Sequence, residues 1–135
     1  MGRGKMVTGT FATAINCMDG RVQDPVAVWL KERFQVDYID AITEPGPDKL
    51  LAEKQPDACE SIKRRVMISV NAHGSRVVAI VSHHDCAGNP VSKEEHLGQL
   101  ARCVDVVLSW GLEVQVLGLW VNDAWQVELI HDRQA

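Results

Sequence analysis

Residues 77–81, Val-Val-Ala-Ile-Val, form an unbroken apolar run dominated by β-branched side chains. A strand with one wet face alternates apolar and polar residues. A run without alternation fits a strand buried on both faces, as in a parallel sheet with helices on each side. Parallel strands need crossovers, so helical segments should separate the strands, and the chain has this pattern. Residues 11–16 predict a first strand that ends at Cys17. Asp24 and Pro25 provide a cap and a first-turn proline, and Val26, Trp29, Leu30 and Phe34 follow at helical spacing, so a helix is expected over 24–34. Residues 36–42 alternate as a second strand, and the prolines and glycine of 43–47 make that stretch a loop that excludes both helix and central strand. A short helix over 48–54 follows. Asp57 and Glu60 then have capping-box spacing ahead of a helix with one face marked by Ile62, Val66, Val70 and His73 and an end at Gly74. Ser92 and Glu95 open another helix, with Leu97, Leu100, Ala101, Val104 and Leu108 on its apolar face and Gly111 closing it. Residues 113–119 predict a fourth strand, and residues 125–130 a fifth that pairs antiparallel at the edge. The 135 residues suffice for one packed core. The expected fold is α/β: one domain over residues 1–135, with about four parallel strands in the order 2-1-3-4, an antiparallel edge strand, and helices on both faces.

In that strand order, strands one and three are neighbours with crossovers on opposite faces, and the crevice at their C-terminal ends is where such sheets bind ligands. Cys17 ends the first of these strands, and Ser82, His83, His84, Asp85 and Cys86 follow the apolar run of the other. Two cysteines and a histidine suit zinc, and the His83-x-x-Cys86 spacing offers two ligands from one turn. Three protein ligands leave a fourth position for water, whose pKa zinc lowers to about 7. Asp19 and Arg21 lie two and four residues beyond Cys17, close enough for a carboxylate and guanidinium to orient that water. The plainer alternative is two buried thiols and a satisfied histidine. Glu44, after strand two, either faces the metal or sits in an ordinary turn. His84 is expected to hydrogen-bond near the site or move protons, and Asp85 either supports a ligand or caps the turn. His73 reads as a helix-end histidine, Cys59 as a small core residue, and His96 and Cys103 as structural.

Net charge is −4, which disfavours a nucleic-acid partner, and Lys63, Arg64 and Arg65 spread around a helix as a solvated face. The apolar stretch after Arg3 and Lys5 is short and broken at Asn16, unlike the core of a secretion signal, and no apolar run approaches membrane-spanning length. A cytoplasmic protein with no membrane partner is expected. In that setting the four cysteines are thiols or ligands rather than disulfides. Four tryptophans and near-continuous apolar strands in so short a chain predict a homodimer or higher homo-oligomer.

Cys17-x-Asp19-x-Arg21 followed by His83-x-x-Cys86, each after an apolar strand, resembles the paired signature of the β-class carbonic anhydrases. The likeness runs from about Phe11 to the final strand and is sharpest at the two motifs. It implies one Zn2+ per chain on Cys17, His83 and Cys86, a catalytic dyad of Asp19 and Arg21, and assembly into dimers or larger oligomers. The implied reaction is reversible hydration of carbon dioxide to bicarbonate by hydroxide generated at zinc. The family also has a closed form in which the aspartate takes the fourth zinc position. Hydrolysis of carbon disulfide or carbonyl sulfide on the same scaffold is the alternative reaction, and a non-catalytic zinc-stabilised binding or sensing module the alternative class. The chain departs from the family pattern at three places. Residues 43–47 replace an Arg-Asn-Ala-Gly-Gly-like segment, Ala87 replaces the glycine after the second cysteine with Gly88 one place late, and only about ten residues precede strand one where many members carry helices.

Overall fold

The computed structural model describes residues 8–134. One five-stranded sheet organises them in the order β2-β1-β3-β4-β5. The strands are β1 (Phe11–Cys17), β2 (Tyr38–Glu44), β3 (Val77–His83), β4 (Gln115–Val121) and β5 (Val127–Gln134). The β1–β2, β1–β3 and β3–β4 pairs are parallel, and β5 pairs antiparallel with β4. This is the expected architecture, strand order included.

The helices are α1 (Gln23–Phe34), α2 (Pro47–Ala52), α3 (Pro56–His73) and α4 (Lys93–Leu108), with a 3-10 turn at Gly20–Val22. Alternation along the strands divides the core into two layers. Ala12, Ala14, Val77, Ala79, Val81, Leu117 and Leu119 pack with Val26 and Leu30 of α1. Ile15, Ile42, Val78, Ile80 and Val116 pack against Leu51 of α2, Ile62, Val66 and Val70 of α3, and Leu100, Val104 and Val107 of α4. The continuous run on β3 is therefore buried on both faces, with all seven of its residues buried.

The structure corrects several local expectations. β2, β3 and β4 each run two residues past their expected ends, so Thr43 and Glu44 belong to an edge strand and Ser82 and His83 to the central one. Only Pro45 and Gly46 remain as the connection to α2, which starts on Pro47. No capping box forms on Asp57 and Glu60. Gln55 takes the cap position without a side-chain bond, and Pro56 opens the helix, leaving one fewer N–H to satisfy. Ser92 does cap α4, its hydroxyl accepting from the Glu95 N–H at 3.1 Å, and Gly74 closes α3 with a left-handed φ of +72°.

Candidate metal centre

The β1–β3 ladder ends at Ile15↔Ile80, whereas β1 continues to Cys17 and β3 to His83. Beyond that last rung the two strand ends line a crevice. Cys17, His83 and Cys86 converge there, all buried, with one ligand atom from each within 4.8 Å of the others. The two sulfurs are 3.9 Å apart. His83 Nδ1 lies 2.7 Å from the His84 carbonyl, and only a protonated Nδ1 can donate to it. In the neutral ring Nε2 is then an acceptor, and it is buried with no hydrogen-bond partner. A lone pair fixed by a backbone bond on the far ring nitrogen is the usual state of a metal-ligating histidine. Two thiols and this orphaned nitrogen fit a zinc ion with three protein ligands.

The thiols influence each other. Cys17 is held below the ordinary thiol range, chiefly by a hydrogen bond from Cys86, which outweighs its burial; the His83 ring and the backbone N–H groups of Gly46 and Asp19 add to the effect. The same contact, followed by burial, pushes Cys86 upward. Burial would lower His83, but the neighbouring Cys17 sulfur and the His84 carbonyl leave it raised. Gly46 is thus a direct neighbour of the site. The short connection after β2 presents a backbone N–H to Cys17.

Asp19 and Arg21 flank the cluster on its exposed side. Asp19 Oδ1 accepts from Arg21 Nε at 3.0 Å and from the Arg21 backbone N–H at 2.9 Å, and Oδ2 accepts from Nη2 at 2.7 Å. These bonds, side chain first, hold the carboxyl at about 2, well below its usual range, while Asp19 and then Asp85 raise Arg21 further. Arg21 also bonds the Asp85 carboxylate at 3.2 Å and the Asp85 carbonyl at 3.1 Å, and its guanidinium stacks 4.4 Å from the centre of the Trp125 ring. It therefore joins the Cys17 segment to the Cys86 turn. Asp85 both binds Arg21 and occupies a left-handed φ of +58° in that turn. His84 is exposed, edge-on to Trp125 at 6.2 Å.

Glu44 lies opposite Cys17 in the β1–β2 register, but its carboxylate is ion-paired to Arg65 of α3. His73 ends α3 and bonds Asp40 at 2.6 Å. His96 and Cys103 lie in α4 and bond Asp48, at 2.6 Å to its carboxylate and 3.1 Å to its carbonyl. Sequence reasoning missed Asp48, whose acidic side chain in an expected short helix gave no sign of its 1% exposure. A cavity of about 550 Å³ near the opposite ends of the strands, lined by Thr10, His73, Arg76 and Gln115 among others, includes no residue of the cysteine–histidine cluster.

Fold and site together define an α/β protein with a buried Cys2His cluster at the switch point of its sheet. A family model described as "Putative carbonic anhydrase" matches residues 7–131, and the chain belongs to that family. No curated protein matches the sequence. Among solved structures, one of the tetrameric β-carbonic anhydrases of the filamentous ascomycete Sordaria macrospora superposes with a TM-score of 0.56 at 8% identity, covering 94% of this chain and 82% of that one. The carbonic anhydrase of Glaciozyma antarctica gives 0.56 at 13% identity, covering 97% and 89%. The β-carbonic anhydrase CafA of Aspergillus fumigatus gives 0.50 at 15% identity, covering 98% and 79%. At these identities the likeness is one of fold.

Proposed function

We propose that this chain is a zinc-dependent carbonic anhydrase-like lyase that reversibly hydrates carbon dioxide to bicarbonate, with one Zn2+ on Cys17, His83 and Cys86. The observation that carries the reading is the convergence of these three buried side chains, with His83 Nε2 left without a partner, in a chain of this family. When bound, zinc supplies a Lewis acid that makes water acidic enough to lose a proton near neutrality. Asp19, ionised at working pH, accepts a hydrogen bond from that water and orients it. Arg21 holds Asp19 by both oxygens and is itself fixed by Asp85 and Trp125, so the carboxylate keeps one direction. Among the described residues, Asp19 is not part of the group whose ligand atoms all lie within 4.8 Å of one another, so its role in this reading is to orient rather than to ligate. His84, exposed at the rim, exchanges protons with solvent.

Residues 1–135 act in this reading as one zinc-binding domain that assembles as a homodimer or larger homo-oligomer in the cytoplasm, with no nucleic-acid or membrane partner. Met18, between Cys17 and Asp19, is 63% exposed, which supports a partner copy covering the mouth of the site. No helix among the described residues is long and apolar enough to cross a membrane.

Stopped-flow carbon dioxide hydration by zinc-loaded protein tests the reaction. Activity above buffer between about pH 7 and 9 is expected, together with a loss of about 100-fold or more in Asp19→Asn at unchanged zinc content. Cys86→Ser should lose most of its zinc. Zinc-loaded protein with no activity at any of these pH values overturns the lyase assignment, and one retained zinc per chain in Cys86→Ser overturns the ligand set.

A further inference from the structure

Beneath the ligand cluster, where α2 and α4 pack on the sheet, lies a group of polar side chains unused by the proposed mechanism. Asp48, Ser82, Asn89 and His96 are each about 1% exposed. Asp48, in the first turn of α2, is the hub. Its Oδ2 accepts from Ser82 Oγ at 2.8 Å and from His96 Nδ1 at 2.6 Å; its Oδ1 accepts from Asn89 Nδ2 at 2.9 Å and from the Lys49 N–H at 2.9 Å. Burial alone would protonate this carboxyl, but His96, Ser82 and Asn89 together outweigh it and hold Asp48 below its usual range. Burying a carboxylate is costly, and a well-packed apolar group often serves stability as well or better. Stability is therefore a weak reason for its presence.

The donors themselves suggest a different role. Ser82 immediately precedes His83. Asn89 lies three residues after Cys86, and its N–H donates to the Cys86 carbonyl at 3.3 Å. One carboxylate thus grips both ends of the segment that carries two of the three ligands. The connection leading into α2 is locked to the same segment. A Cβ on Gly88 would stand 2.6 Å from the Pro45 carbonyl carbon and 2.8 Å from Gly46 N, and Gly46 N–H is the group that approaches the Cys17 sulfur.

We propose that Asp48 is a positioning residue for the metal centre: its carboxylate fixes Ser82 and Asn89, and through them the separation and direction of His83 and Cys86 relative to Cys17. The inference rests on the zinc reading of the cluster. A second polar network in the same molecule serves as its control. Asp40 accepts from Ser69 Oγ and from His73 Nδ1, both at 2.6 Å, and Ser69 is linked onward to Thr13 at 2.6 Å; none of these residues adjoins a ligand in sequence.

The test measures zinc affinity by competition with a chromophoric chelator, and the visible spectrum of the cobalt(II) form, in wild type, Ser82→Ala, Asp48→Asn and Asp40→Asn. Each metal-free protein is first shown to be folded by circular dichroism. Ser82→Ala should bind zinc about 10-fold more weakly and Asp48→Asn between about 10- and 100-fold more weakly, both with altered cobalt bands. Asp40→Asn should lower the melting temperature yet stay within about 2-fold of wild type in zinc affinity. Folded Ser82→Ala and Asp48→Asn proteins with wild-type affinity and spectra overturn the inference. Equal weakening in Asp40→Asn also overturns it, by showing general loosening. If Asp48→Asn does not fold, Ser82→Ala, which removes one donor, decides the matter alone. Failure of wild type to bind zinc is a separate result that removes the metal reading and this inference together.

Discussion

Two carboxylates flank the cysteine–histidine cluster in opposite settings. Asp19 meets Arg21 at 2.7 Å across two positions of sequence, with the arginine side chain 46% exposed. Asp48 meets His96 at 2.6 Å across 48 positions, both side chains 2% exposed. The distances nearly coincide, so the difference in consequence comes from solvent. Water screens the exposed pair, and such pairs typically add only about 0–1 kcal/mol. The buried group is costly to desolvate and still more costly to break, because its partners would be left unpaired in a medium that cannot solvate them. On the proposed reading, the group that meets substrate and solvent has the first setting, and the group that positions the metal-binding side chains has the second.

The largest test of this contrast is truncation. Asp48→Ala strands His96 Nδ1 and removes an acceptor from Ser82 and Asn89, and should cost about 3–5 kcal/mol in urea unfolding of the metal-free protein. A cost below about 1 kcal/mol would place Asp48 with the surface pairs. Arg21→Ala, although it deletes contacts to Asp19, Asp85 and Trp125, should cost no more than about 1 kcal/mol in the same assay, and a much larger loss would break the comparison from the other side. The smallest effect concerns pH. The folded-state pKa of Asp48 is depressed, so its contribution is fully present above the unfolded carboxylate value of about 3.9 and is lost as pH falls through the folded value. The stability gap between wild type and Asp48→Asn should therefore be constant near neutrality and narrow below about pH 4. A gap that widens on acidification would mean that the folded state holds the protonated carboxyl.

Hydrophobic pattern made the sheet legible. The unalternating run on β3 specified a strand covered on both faces, and alternating helices then left few strand orders. The strand ends were less legible because pattern stops where chemistry begins. Thr43, Glu44, Ser82 and His83 interrupt the apolar signal yet remain in the ladder, since a strand end at a switch point carries polar groups into the crevice. Cys17, His83, Cys86, Asp19 and Arg21 stood out because their residue types and short spacings are informative within a few positions. Asp48 did not. Its partners Ser82, Asn89 and His96 are 34, 41 and 48 residues away, and an isolated acid in a short helix has no local mark of burial. The sequence departures at 43–47 and at Gly88 looked independent, but they fall on the two sides of one contact.

That contact limits how the protein can be altered. The Pro45–Gly46 connection and the Gly88 turn occupy each other's side-chain space, so neither can accept even one methyl group unless the opposing backbone retreats. Variation at position 88 should be tolerated only together with a rebuilt connection before α2. Anyone grafting a related segment into this scaffold would have to exchange both loops as a unit.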